Sequence, residues 1–157
     1  MQQLYANAIA RAEFVALDAE RRGYYALPAG AGPFPAVLVY QEAFGVNDYV
    51  QSEVRRLAEH GYAALAPDLF RGDVYGYGEA ERPAMYARLQ SLTDEGLLAD
   101  VRAAAAFLDA RPEVARRAYG AVGFCMGGRL AVLSAIVLGE KIAAAASFYG
   151  GGIAPEQ

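Results

Sequence analysis

Apolar and polar positions along the chain alternate between two periodicities. Unbroken apolar runs at Ala36-Val37-Leu38-Val39-Tyr40, Tyr62-Ala63-Ala64-Leu65-Ala66 and Tyr119-Gly120-Ala121-Val122-Gly123-Phe124 predict strands buried on both faces. Between and after them, apolar residues recur at helical spacing. Residues 48–59 place Val50, Val54, Leu57 and Ala58 on one face, with Asn47 as the capping residue and His60-Gly61 at the end. Residues 79–91 and 94–110 are predicted to be helical, the second with Leu97, Leu98, Val101, Ala105 and Leu108 inward and acidic residues in its first turn. Pro112 then breaks the chain, and a helix over residues 126–138 and a last strand over residues 142–148 follow the Tyr119 run.

Ahead of these units, residues 13–17 alternate Phe14 and Ala16 with Val15 and Leu17, and residues 23–27 carry Tyr24 and Tyr25. They predict a hairpin turning at Glu20-Arg21-Arg22. Residues 28–35, with three prolines and two glycines, predict a loop. Strands alternating with helices make a mostly parallel sheet with helices on both faces, here with an antiparallel start. The expected architecture is a three-layer α/β fold.

Within that pattern one junction carries chemistry. Gly123-Phe124-Cys125-Met126-Gly127 ends a strand and opens a helix, with a glycine two residues before and two after the cysteine. Small residues there let strand and helix close on a sharp turn, and the residue at the apex stands clear of the sheet beside a helix N-terminus that favours a thiolate. The pattern is the G-x-S-x-G nucleophile elbow with cysteine in place of serine. The competing reading is an inert, packed cysteine. A second candidate is Glu42, which follows the Ala36–Tyr40 strand, where open α/β sheets place their ligand crevice. Its alternative is a surface carboxylate capping a loop. The loop over residues 69–78 is expected to cover the same crevice. His60, the one histidine, sits where a helix dipole favours it and at the amino end of the next strand, so it is not expected to reach Cys125.

Composition narrows the classes further. The 157 residues are 55% apolar and 20% charged, enough for the core of one domain, and the 14 Lys and Arg against 18 Asp and Glu are scattered. Neither a nucleic-acid surface nor a membrane surface is expected. One cysteine excludes an internal disulfide, no Cys/His spacing suits a metal, and no segment reads as a leader or a membrane span. A cytoplasmic protein is the expectation. A Rossmann-type nucleotide binder is disfavoured, because no strand is followed by a G-x-G-x-x-G turn.

Taken together, the elbow at Gly123 to Gly128, the segment Gln41-Glu42-Ala43-Phe44-Gly45-Val46-Asn47, the segment Gly61-Tyr62 to Pro67-Asp68, and Phe148-Tyr149-Gly150 resemble the dienelactone hydrolase family of α/β-hydrolases. The resemblance covers nearly the whole chain. It implies a small lactone or carboxylic ester as substrate, no cofactor, Cys125 as nucleophile, and Glu42 as the carboxylate beside the thiol. It also implies an oxyanion hole from the amides of Met126 and Ala43, and Arg71 as a binder of the substrate carboxylate. For Arg71 a solvated loop charge is the alternative. A broader carboxylesterase or thioesterase, or an inactive binding or structural module on the same fold, stand as other functions.

One part of the pattern is missing. In α/β-hydrolases the acid and the histidine follow the nucleophile, and after Cys125 this sequence has Glu140 and Glu156 but no histidine. Residues 1–157 are therefore expected to be the N-terminal portion of a single α/β-hydrolase domain. Its last βα units, with the triad Asp and His, would come from further sequence or from a separate C-terminal polypeptide.

Overall fold

A computed structural model describes residues 8–153, so Glu156 and the extreme N-terminus lie outside the described residues. Two strands open the chain, β1 (Ile9–Ala16) and β2 (Arg22–Pro28), followed by β3 (Ala36–Tyr40), α1 (Asp48–Glu59) and β4 (Ala63–Pro67). Then come α2 (Arg82–Gln90), α3 (Asp94–Asp109), β5 (Tyr119–Phe124), α4 (Met126–Leu138) and β6 (Ile142–Phe148). The six strands form one sheet in the order β1-β2-β4-β3-β5-β6. The β1–β2 and β2–β4 pairs are antiparallel, and β4–β3, β3–β5 and β5–β6 are parallel. The antiparallel start and the parallel remainder are as the sequence pattern predicts.

Alternation along the strands sorts the core into two layers. Leu38, Tyr40, Ala63 and Leu65 face a cluster with Val101, Ala105 and Leu108 of α3 and Leu130 and Ala131 of α4. Val39, Ala64 and Ala66 face the other way, onto Val50, Val54 and Ala58 of α1. These are the inward positions read from the helical spacing. Of the residues named there, Leu57 packs at the margin of its cluster and Leu98, half-buried, belongs to neither cluster. The predicted Asn47 cap is in place, its side chain accepting from the Val50 amide at 3.1 Å; at the start of α3 the Thr93 hydroxyl accepts from the Gly96 amide at 3.1 Å.

Two boundaries differ from expectation. β1 starts four residues earlier, at Ile9, because its pairing with β2 runs on to Ile9↔Pro28. Its side chains are mostly exposed, so no burial alternation marks those residues in the sequence. The segment at 79–91 divides into a single 3₁₀ turn, Glu79–Glu81, and α2. Pro83 near the start of α2 has no N–H to continue the earlier turn.

β6 is the outer strand beside β5, and residues 143–148 are exposed. No helix among the described residues is long and apolar enough to cross a membrane.

Candidate active site

The parallel strands β3, β4 and β5 bring their carboxyl ends to one edge of the sheet, and Cys125 stands at the end of β5. Its backbone has φ 55° and ψ −122°, a region that side chains other than glycine rarely occupy and that costs about 1–3 kcal/mol. The surroundings over-determine it. A Cβ on Gly123 would lie 1.9 Å from the Gly127 carbonyl oxygen, and one on Gly127 would lie 2.3 Å from that of Tyr40. The Cys125 amide donates to the Phe148 carbonyl at 2.9 Å, while its own carbonyl accepts from Gly128 at 2.9 Å. The cysteine is thus clamped between β3, β6 and the first turn of α4. It is free of any disulfide and half-buried, which the inert-packing reading does not require.

Glu42 comes to this edge through Gln41, which is fully buried at the end of β3. The Gln41 Oε1 accepts from the Leu69 amide at 3.1 Å, tying β3 to the loop after β4. Glu42 itself accepts a hydrogen bond from the Tyr149 phenol at 2.6 Å. Tyr149 follows β6 and, like Cys125, has a positive φ of 43°. The bond to Glu42, followed by loss of solvent, pushes the Tyr149 phenol up to about 12. Met126 and Ala43 flank the same junction: α4 starts against the Tyr40 and Gln41 carbonyls, directly before Glu42 and Ala43. Among the described residues neither the Met126 nor the Ala43 amide donates to another backbone group.

Arg71 also lies past the carboxyl end of β4, in left-handed geometry at φ 58°. It is exposed, yet its charge is paired. Its guanidinium donates to Asp100 of α3 at 2.6 Å and to the Asp68 carbonyl at 2.8 Å. Asp100 is buried and also accepts from Arg21 Nε at 2.9 Å, so one carboxylate serves two guanidinium groups. The Asp100→Asn variant takes the carboxylate from Arg71, while Arg21 keeps Asp18 at 3.0 Å. Because Arg21 and Arg71 are 23% and 37% exposed, water offsets part of the loss, and a drop of about 1–2 kcal/mol in denaturant unfolding is expected.

His60 stays at the other end of the sheet, as predicted. It caps α1, with its ring Nδ1 2.7 Å from the Arg56 carbonyl oxygen. A cavity of about 420 Å³ is also at that end, lined by Asp109, Tyr119 and Lys141 and not by Cys125. There Tyr119 and Lys141 both donate to Asp109, an internally satisfied cluster. Among the described residues no group of His, Cys, Asp or Glu is arranged to hold a metal ion.

Sequence reasoning missed three contributors: Gln41 as a strut, Asp100 as the partner of Arg71, and Tyr149 as the partner of Glu42. Only Tyr149 had a signal, its position directly after a strand that ends at the crevice.

A sequence profile of the dienelactone hydrolase family matches residues 21–157. The chain belongs to this family. Carboxymethylenebutenolidase of Pseudomonas putida is 33% identical over 131 residues, covering 80% of this chain and 54% of that protein. A Synechocystis protein provisionally described by the same activity is 36% identical over 135 residues, covering 83% of this chain and 54% of its own length. In three dimensions a Klebsiella pneumoniae crystal structure, provisionally described as a dienelactone hydrolase, superposes with a TM-score of 0.80 at 32% identity. That match covers 96% of this chain and 64% of the other. The fold is that of the dienelactone hydrolase-like α/β-hydrolases, and the chain spans about half the length of the curated relatives it matches.

Proposed function

We propose that this dienelactone hydrolase family member cleaves a small lactone or carboxylic ester through Cys125. The observation that carries the proposal is the strained, glycine-clamped cysteine at the end of β5, next to the end of β3 that Glu42 follows. Strain of this kind persists where a side chain must be aimed, and an inert core cysteine has no use for it. In the proposed reaction the Cys125 proton passes to Glu42, and the thiolate attacks the ester carbonyl carbon. The Met126 and Ala43 amides hold the oxyanion. The carbon–oxygen bond then breaks, the departing oxygen takes up the proton from Glu42 and leaves as the alcohol, and water hydrolyses the remaining thioester to the free acid and thiol. Arg71 would meet a substrate carboxylate only by exchanging it for Asp100.

The family's acid and histidine are proposed to come from polypeptide that covers the exposed outer side of β6. A thiolate nucleophile suits a reducing, cytoplasmic setting. Mixing the protein with a simple aryl-fused lactone tests the acylation step. Because the leaving phenol stays tethered, the expected product is one whole lactone added to the Cys125 peptide by mass spectrometry. Modification elsewhere, or none, would sink the assignment.

A further inference from the structure

The sheet order places β5 between β3 and β6. Glu42 follows β3, Cys125 follows β5 and Tyr149 follows β6, so the 2.6 Å bond from Tyr149 to Glu42 joins residues two strand spacings apart, about 10 Å in backbone terms. It crosses the end of the strand that carries the nucleophile. The Tyr149 end of this bridge is anchored to the elbow on both sides. Phe148, the residue before Tyr149, accepts the Cys125 amide, and its ring stacks on Phe124 at 5.2 Å. Gly150, the residue after, lies so close that a Cβ would sit 2.6 Å from the Arg129 amide. Tyr149 is therefore held in left-handed geometry by the first turn of α4, and its ring packs 6.4 Å from that of Phe124.

We infer that Tyr149 is a positioning residue for Glu42: its phenol, reaching across the carboxyl end of β5, fixes the carboxylate at the Cys125 thiol and sets how readily that thiol loses its proton. The inference rests on the nucleophile and carboxylate roles proposed above. Physically, the phenol occupies Oε1, restricts the carboxylate to one orientation, and shares the negative charge that would otherwise repel a thiolate. The other titratable or charged groups around the elbow are Tyr49 on α1, Tyr77 on the loop after β4, and Arg129 on α4. Arg129 is committed to Asp94 through two bonds of 2.9 and 3.0 Å. Among the described residues none of these groups hydrogen-bonds the Glu42 carboxylate, so Tyr149 is the group whose removal reaches it. A charge on Cys125 also acts against ionisation of the phenol, which places the two within electrostatic reach.

The test follows alkylation of Cys125 by iodoacetamide as a function of pH, which needs no substrate. Tyr149→Phe keeps the ring contacts and removes the donor. It is expected to move the alkylation profile to higher pH and to slow the reaction at neutral pH by roughly three- to tenfold, the range for losing an ordinary hydrogen bond, because this one is exposed and water replaces part of it. In a Glu42→Gln background the same substitution is expected to change nothing further. Glu42→Asp, which draws the carboxylate back from the phenol, is a second route to the same shift if Tyr149→Phe fails to fold. Superimposable profiles for the parent and Tyr149→Phe, or an equal shift in the Glu42→Gln background, would overturn the role of Tyr149. The coupled shift without any lactone adduct would instead refute the hydrolase reading and leave the positioning role standing.

Discussion

Gly123→Ala is expected to remove most of the stability of the fold, by about 4 kcal/mol or more. A methyl group there would sit 1.9 Å from the Gly127 carbonyl oxygen and 2.2 Å from its carbon. Both are backbone atoms in the first turn of α4, so relief requires the helix to move off β5. That helix supplies Leu130 and Ala131 to the larger core cluster, and its start is wedged against the Tyr40 and Gln41 carbonyls. The displacement would therefore open the core as well as the elbow. Gly127→Ala is expected to be nearly as severe, with contacts of 2.3 and 2.5 Å to those same two carbonyl oxygens. Gly78→Ala serves as the control. Its Cβ would meet nothing within 4 Å at an ordinary φ of −69°, and a change within about 0.5 kcal/mol is expected. Thermal unfolding decides the matter. A loss of 4 kcal/mol in a domain of this size lowers Tm by about 8 °C or more, and a Gly123→Ala protein melting with the parent would show that the elbow is not held as described.

The second large effect concerns Cys125 and separates stability from activity. Cys125→Ala is expected to abolish the rapid release of p-nitrophenol from p-nitrophenyl acetate, reducing acylation by about a thousandfold or more, since the bond-forming atom is gone. The alanine variant keeps the same positive φ and is expected to unfold with the parent. Cys125→Gly is expected to be equally inactive yet as stable as the parent, or up to about 1 kcal/mol more stable, because glycine tolerates φ 55° without the steric cost. An inactive variant that gains stability is the signature of strain kept for a function. If the alanine variant retained its burst of p-nitrophenol, or the glycine variant proved markedly less stable, the strained cysteine would be a structural residue.

These predictions depend on features that differ in how visible they are along the chain. The elbow is legible because its requirements are local. A close approach of strand and helix needs glycines at fixed offsets from the apex, so Gly123 and Gly127 announce Cys125 without help from distant residues. The layers are legible for a similar reason, since period-2 and period-3.6 burial leave their marks in Leu38 to Tyr40 and in Val50, Val54 and Ala58. Exposed elements leave no such mark. The first residues of β1 are strand only because β2 pairs with them, and nothing in their side chains records it.

The sequence by itself determined the α/β class, the order of its elements, the cysteine elbow and, through the motifs around Gln41, Pro67 and Gly123, the resemblance to the dienelactone hydrolases. What the elbow faces was decided only in three dimensions. Asp100 reaches Arg71 across 29 positions and Tyr149 reaches Glu42 across 107. Contacts of that separation depend on strand order, and strand order is set by how the two helix layers pack on the sheet. A parallel strand carries the same apolar run whichever neighbour it takes, so the run cannot say that β5 lies between β3 and β6. That placement sets a phenol and a carboxylate on either side of the thiol.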